Sequence, residues 1–308
     1  MKSDEFSISV GISTLTAQRK SFLCGIYPFP LEERTYLMGV LNITPDSFSG
    51  DGFFREKDFL AVEQKAIELA QKMVQAGADI IDVGGESSRP GALPVSEQEE
   101  LNRVIPIVKV LTHHLKVPVS VDTYKSTVAE EALKNGASMI NDITGLRGSP
   151  EMASLIASYH AGVVIMHMQG EDPQTMQKAP SYQNLIGEIC DFFQQSLQIA
   201  EKGGISKEQI LLDPGIGFGK RVEHNLEILR NLQLFKKLEY PLLIGTSRKS
   251  FIGKVLQGRP VERRIWGTAA TVALAVYNGA NVIRVHDVSE MKDVVCVCDA
   301  VLRNGGKG

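Results

Sequence analysis

The chain has 308 residues, is 43% hydrophobic and carries a formal net charge of −3. That length holds one large core, and a β/α barrel of about 250 residues with an N-terminal extension needs no second domain. No basic excess marks a nucleic-acid binder, no apolar run approaches the ~20 residues of a membrane span, and Met1 to Lys20 lacks the basic-then-apolar order of a signal peptide.

Residues 1–34 mix β-formers with Ser, Thr, Gly and Pro, as a short hairpin capping a barrel floor or a loose leader would. From Thr35 onward short apolar runs alternate with helix-like stretches. Strands are predicted over roughly 35–41, 79–83, 117–121, 138–141, 162–167, 209–213, 241–245 and 281–285. They are rich in Val, Ile, Leu and Met and barely alternate, which is how strands buried on both faces read. Between them, Ala66, Leu69, Ala70 and Met73 form one helical stripe, and Leu101, Val104, Ile105, Val108 and Leu111 another. Ala76-Gly77-Ala78, Asn135-Gly136-Ala137 and Asn278-Gly279-Ala280 each precede a strand, a repeated helix-to-strand joint in which glycine turns the chain back. A polar or Gly-rich cluster follows every strand, whereas a doubly wound open sheet would concentrate chemistry at one switch point. The expected fold is therefore α/β: a single (β/α)8 TIM barrel over 35–308 with a short N-terminal extension, 1–34.

Cys24, Cys190, Cys296 and Cys298 make no C-x-x-C pair, so reduced thiols in a cytoplasmic protein are expected. Gly215-Ile216-Gly217-Phe218-Gly219-Lys220 has neither P-loop nor dinucleotide spacing and reads as a tight βα loop where backbone approaches something closely. Asp82, Asp122 and Asp213 each end an apolar run. A single carboxylate there often caps a helix or ties loops; three at one barrel mouth suit a ligand rich in N–H groups. Lys249, Arg248, Arg284, His286 and Arg89 bring positive charge to other strand ends and suit an anionic substrate, with Arg248 readable as a surface ion pair. His167 and His286 follow strands and are the candidate histidines, while His113, His114, His160 and His224 read as surface or helix-end residues.

These motifs, in order, are Asn42-Ile-Thr-Pro-Asp-Ser-Phe48, Asp82-Val-Gly-Gly-Glu-Ser-Ser-Arg-Pro-Gly91, Val121-Asp122-Thr123, Ile140-Asn141-Asp142-Ile143, Met166-His167-Met168-Gln169-Gly170, Leu212-Asp213-Pro-Gly-Ile-Gly-Phe-Gly-Lys220, Ser247-Arg-Lys-Ser250 and Arg284-Val-His286-Asp287. The chain from about Tyr36 to its C-terminus resembles the dihydropteroate synthases of folate biosynthesis, usually homodimers and the target of sulfonamides. The resemblance implies condensation of 6-hydroxymethyl-7,8-dihydropterin diphosphate with p-aminobenzoate, releasing pyrophosphate, with Mg2+ assisting. It implies a pterin site of Asp122, Asn141, Met166, Asp213, Gly245 and Lys249. The p-aminobenzoate site would use Ser88, Arg89, Phe218, Lys249 and Ser250, and the diphosphate site Asn42, Arg89, Arg284 and His286. Asn42 would also offer its oxygen to Mg2+, Asp82 would support the site from behind, and Asp122, Lys249, Arg284 and His286 would act in the chemistry.

Two departures stand out. The family's second loop usually reads Ser-Thr-Arg-Pro, where this chain has Ser87-Ser88-Arg89-Pro90; its first loop commonly reads Ser-Asp-Gly-Gly, where this chain has Ser49-Gly50-Asp51-Gly52. The loops at about 43–58 and 85–95 are expected to act as lids that order with pyrophosphate and Mg2+. The rival readings are a pterin-binding methyltransferase barrel, which has no use for a diphosphate clamp, and a non-catalytic barrel used as a binding module.

Overall fold

The computed structural model describes residues 21–43, 59–86, 95–170, 176 and 180–303. Its elements in chain order are β1 (Ser21–Cys24), β2 (Tyr27–Pro30), β3 (Tyr36–Asn42), α1 (Phe59–Gln75), β4 (Ile80–Gly84), α2 (Glu97–His114), β5 (Val119–Asp122), α3 (Ser126–Lys134), β6 (Met139–Asp142), α4 (Met152–Ser158) and β7 (Gly162–Met166). After these come α5 (Leu185–Gly203), β8 (Ile210–Asp213), α6 (Val222–Arg230), β9 (Leu243–Ile244), α7 (Ser250–Val255), α8 (Ile265–Tyr277), β10 (Val282–Val285) and α9 (Val288–Leu302).

Eight parallel strands run in the order β8-β7-β6-β5-β4-β3-β10-β9. The ring closes where Leu212 pairs with Leu242 and the Leu212 N–H donates to the Pro241 carbonyl over 2.9 Å. The fold is the expected β/α barrel, and each predicted strand falls within two residues of an observed one. The helix-to-strand joints recur as read, with Gly77, Gly136 and Gly279 all at φ near +100 (104, 95 and 103).

Strand residues divide by parity. Leu37, Leu41, Ile81, Val83, Val119, Val121, Ile140, Val163, Ile165, Leu212 and Ile283 face the helices and pack with them. Met38, Ile80, Met139, Val164, Leu211, Leu243 and Val282 pack instead inside the barrel, together with Phe22, Cys24 and Phe29 of the β1–β2 hairpin. The hairpin stoppers the end of the barrel where the strands begin. Its Phe22 ring comes so close to Gly162 that a Cβ there would lie 2.9 Å away.

Two residues further along the inward face the chemistry changes: Ile80 gives way to Asp82, Met139 to Asn141, Leu211 to Asp213 and Val282 to Arg284. The same sheet thus carries an apolar floor and a polar mouth.

Helix α2 corrects one expected stripe. Its buried residues are Glu100, Val104, Ile107, Val108 and Leu111, while Leu101 and Ile105 are only partly covered. Ser96 caps the helix, accepting from the Glu99 N–H over 3.2 Å. The last helix ties back to the first barrel strand through Asp299, which accepts from the Thr35 N–H at 2.7 Å and hydroxyl at 2.8 Å. No helix is long and apolar enough to cross a membrane, among the described residues. All four cysteines are free.

Candidate active site

The strand ends place Asp82, Asp122, Asn141 and Arg284 in one network. The Arg284 guanidinium donates from Nε to Asp82 Oδ2 at 2.6 Å and from Nη2 to Asp122 Oδ2 at 2.8 Å, and Asn141 Nδ2 donates to Asp82 Oδ2 at 3.1 Å. Asp82 is fully buried, and its Oδ1 has no hydrogen-bond partner among the described residues. The buried Oγ of Ser120, its neighbour in register, likewise has none among them. Two carboxylates share one guanidinium, so the network retains negative charge. Burial pushes the Asp122 carboxyl up to about 7; Arg284 pulls it back and Asp82 adds to the rise.

Asp213 faces the same interior from β8. Burial raises its carboxyl above the usual range, opposed by Lys249, by the Gly215 N–H at 2.7 Å, and by Lys220 and Arg284. Burial draws the Lys249 ammonium down to about 8, with Asp213 holding it up and Arg284 lowering it further. Lys249 Nζ donates to the Ile216 carbonyl and lies 4.6 Å from the Phe218 ring centroid, a cation–π distance. Gly217 makes room for this: a Cβ on it would stand 3.1 Å from Lys249 Cδ.

An apolar wall borders the polar groups. Met166 packs with Ile143, Met168 and Met176, and Tyr124 and Phe218 lie against them. Gly245 faces Arg284, whose Cβ and Cδ lie 3.7 and 4.0 Å from where its own Cβ would stand. The Ser247 hydroxyl lies 3.0 Å from His286 Nδ1 and accepts from the His286 N–H at 3.2 Å, fixing that ring beside β10. Ser250 opens α7 and is exposed.

Asn42 ends β3 with its Oδ1 3.5 Å from the point where a Gly84 Cβ would sit; Asp122 Oδ2 is 3.9 Å from that point. The missing side chain leaves an oxygen-lined cradle. Among the described residues no group of three or more His, Cys, Asp or Glu is placed to hold a metal ion. The Asn42 oxygen is of the donor type that Mg2+ takes, an ion that completes its shell with waters and substrate phosphates.

Other expected residues fall elsewhere. Ser88 and Arg89 lie outside the described residues, as do 44–58 and 87–94 of the expected lids. His167 is not at the mouth: it is buried, with Nδ1 2.8 Å from Lys220 Nζ and its ring edge-on to Phe192 at 4.8 Å. His224 lies at a helix end, as read, and is buried there: its ring caps α6 by accepting from the Arg221 N–H at 3.2 Å and lies 5.0 Å from the Tyr182 ring. Arg248 pairs with Asp287 through two bonds of 3.0 and 2.5 Å on the surface.

The sequence reading missed a second cluster. Lys125 donates to Glu86 Oε2 at 2.6 Å, to the Val95 carbonyl at 3.0 Å and to the buried Glu100, holding together the described residues on either side of 87–94. The available signal was Glu100 itself, an acid on the buried face of a helix.

A family model described as "Pterin binding enzyme" matches residues 38–286. A dihydropteroate synthase of Synechocystis sp. is 48% identical over 275 residues, covering 89% of this chain and 93% of the relative. The solved structure of dihydropteroate synthase from Clostridium difficile in the presence of pteroic acid is 49% identical with a TM-score of 0.82, covering 89% of this chain and 99% of that one. The Thermus thermophilus enzyme in complex with 4-aminobenzoate is 39% identical with a TM-score of 0.80, covering 91% and 99%. Matched over nearly the whole length of these relatives, the chain belongs to the dihydropteroate synthase family of pterin-binding enzymes.

Proposed function

We propose that the protein condenses 6-hydroxymethyl-7,8-dihydropterin diphosphate with p-aminobenzoate to give 7,8-dihydropteroate and pyrophosphate. The observation that carries this reading is the convergence of Asp82, Asp122 and Asp213 with Arg284 and Lys249 at one end of the barrel. A pterin offers N–H donors along one edge, and Asp213 accepts from its 2-amino group and N3. Asp122 accepts from another ring nitrogen, Asn141 meets a mixed donor and acceptor face, and Lys249 donates to the ring carbonyl. Met166 and Gly245 leave a flat apolar boundary for the heterocycle.

Bond breaking leads. The C–O bond to the diphosphate opens and its electron pair leaves with pyrophosphate, giving a cationic pterin methylene. Arg284 has engaged two of its five N–H donors among the described residues, and the rest, with His286, receive the departing charge. Asn42 would hold Mg2+, which when bound to the diphosphate lowers the charge of the leaving group. Asp122 stabilises the positive charge that builds on the ring. The arylamine lone pair then forms the C–N bond, and the resulting ammonium nitrogen gives up one proton to solvent. No strong base is required, because that lone pair is free at neutral pH. The aminobenzoate ring enters between Phe218 and Lys249, whose ammonium stands 4.6 Å from the Phe218 centroid and swings aside to admit it, with its carboxylate at Ser250; Ser88 and Arg89 are assigned to it on the resemblance.

The protein is further proposed to act as a homodimer. Helices α8 and α9 pack side by side, and Trp266, Leu274, Tyr277, Val297 and Val301 on them are exposed by 81%, 52%, 67%, 65% and 71%. An apolar face of that kind on a compact barrel marks an association surface.

The test is pyrophosphate release on mixing the pterin diphosphate, p-aminobenzoate and Mg2+. Release that depends on both substrates is expected. Its absence with well-folded protein would overturn the proposal in favour of a binding module.

A further inference from the structure

Lys220 closes the glycine-rich loop after β8, yet it is only 5% exposed. No carboxylate hydrogen-bonds to it among the described residues, and Asp213 acts on it only at longer range. A buried amine in that position is costly unless its polar hydrogens are used. Three partners surround it: His167 Nδ1 at 2.8 Å, the Phe218 carbonyl at 2.9 Å and the His167 carbonyl at 3.4 Å. Burial lowers the hold of both the lysine and the imidazole on a proton, and a charge on either would oppose one on the other.

These bonds join two strand ends. His167 directly follows β7, and the Lys220 bonds fasten to it the loop that follows β8. Further ties flank the same loop, from the Tyr182 hydroxyl to the Gly219 carbonyl at 2.8 Å and from the Gly217 N–H to Asn225 Oδ1 at 2.7 Å. Phe218 sits between these anchors, and its ring is the one that faces Lys249.

We infer that Lys220 is a positioning residue for the second substrate: with His167 it fixes the main chain at Phe218 and so sets the ring face, covered here by Lys249 at 4.6 Å, that receives the aromatic amine once Lys249 swings off it. The inference rests on the proposed p-aminobenzoate site. It gives a buried lysine, absent from the pterin and diphosphate contacts, a selective part in binding one substrate of the two.

Steady-state kinetics with both substrates tests it. The unsubstituted protein must first release pyrophosphate; failure there removes the proposed reaction and not this inference in particular. Lys220→Met is then expected to raise KM for p-aminobenzoate about tenfold, the scale of a lost buried hydrogen bond, while KM for the pterin diphosphate stays within about twofold. A parallel rise in both constants, a fall in kcat alone, or no change would overturn the inference. If Lys220→Met fails to fold, His167→Asn and His167→Leu take its place. Asparagine keeps an acceptor near the position of Nδ1 and should hold KM for p-aminobenzoate close to the parent, whereas leucine should raise it; equal effects from the two would overturn the inference.

Discussion

Arg284 Nε donates to Asp82 Oδ2 over 2.6 Å, joining β10 to β4 through positions 202 residues apart in sequence. Asp82 is fully buried, so the bond is shielded from solvent and from salt. Removing one partner of such a pair strands the other, at a cost of about 3–5 kcal/mol. Asp82→Ala is therefore expected to lower the denaturant midpoint markedly and to reduce kcat, since Arg284 loses the contact that aims it. Chemical denaturation followed by kinetics on the folded fraction checks this; parental stability would show the pair to be dispensable.

The pH dependence follows from two groups. The proposed chemistry needs Asp122 ionised, and its carboxyl is pushed up to about 7. It also needs Lys249 protonated, and its ammonium is drawn down to about 8. A plot of kcat/KM against pH should be a narrow bell, rising through the first value and falling through the second. Asp122→Asn should lower the rate and abolish the acid limb.

The same carboxyl has a stability consequence of definite sign. Its value in the native state lies above the ordinary one, so the folded chain holds that proton more tightly than the unfolded chain does. Stability from this group is full below the usual carboxylate range and is lost as pH rises toward about 7. Asp122→Asn should gain melting temperature relative to the parent at mildly alkaline pH, and less or none at acid pH. Calorimetry across that range decides it.

Lys249→Ala removes a charged donor from the proposed pterin carbonyl contact and from the Ile216 carbonyl. The lost interaction is worth about 1.5–3 kcal/mol in transition-state binding, or roughly ten- to a hundredfold in kcat/KM. Melting temperature should change little, because burial already opposes the charged form of this side chain. A collapse of folding together with activity would make the residue structural.

Trp266→Glu and Val297→Arg each place charge in the exposed apolar face of α8 and α9. Size-exclusion chromatography with light scattering should show a dimer for the parent and a shift to monomer for both variants. A parent that is monomeric, or a dimer unmoved by either change, would remove this face from the proposal.

The barrel was legible because its strands are buried on both faces and stop at polar residues, a pattern visible without partners. Asp82, Asp122, Asp213 and Arg284 were legible for the same reason: charge at the end of an apolar run must meet something. Pairings across the ring were not. Which acid Arg284 binds depends on strand register, and the bond from Lys220 to His167 joins residues 53 apart with no charge complement to suggest it. His167 followed a strand and so looked like a mouth residue, but the parity of β7 turns Met166 inward and His167 away from it. His224 was legible as a helix-end residue; its burial against Tyr182 was not.

Gly215 has φ +66, and any Cβ on it would fall 1.8 Å from the His167 carbonyl oxygen. Both the torsion and the collision forbid another amino acid, and neither is relieved by moving a flexible side chain. Heritable change in this enzyme is therefore channelled. Selection has no viable allele at this backbone crossing; in the proposed aminobenzoate site, variation in the aromatic amine accepted is left to positions such as Ser250 and Phe218.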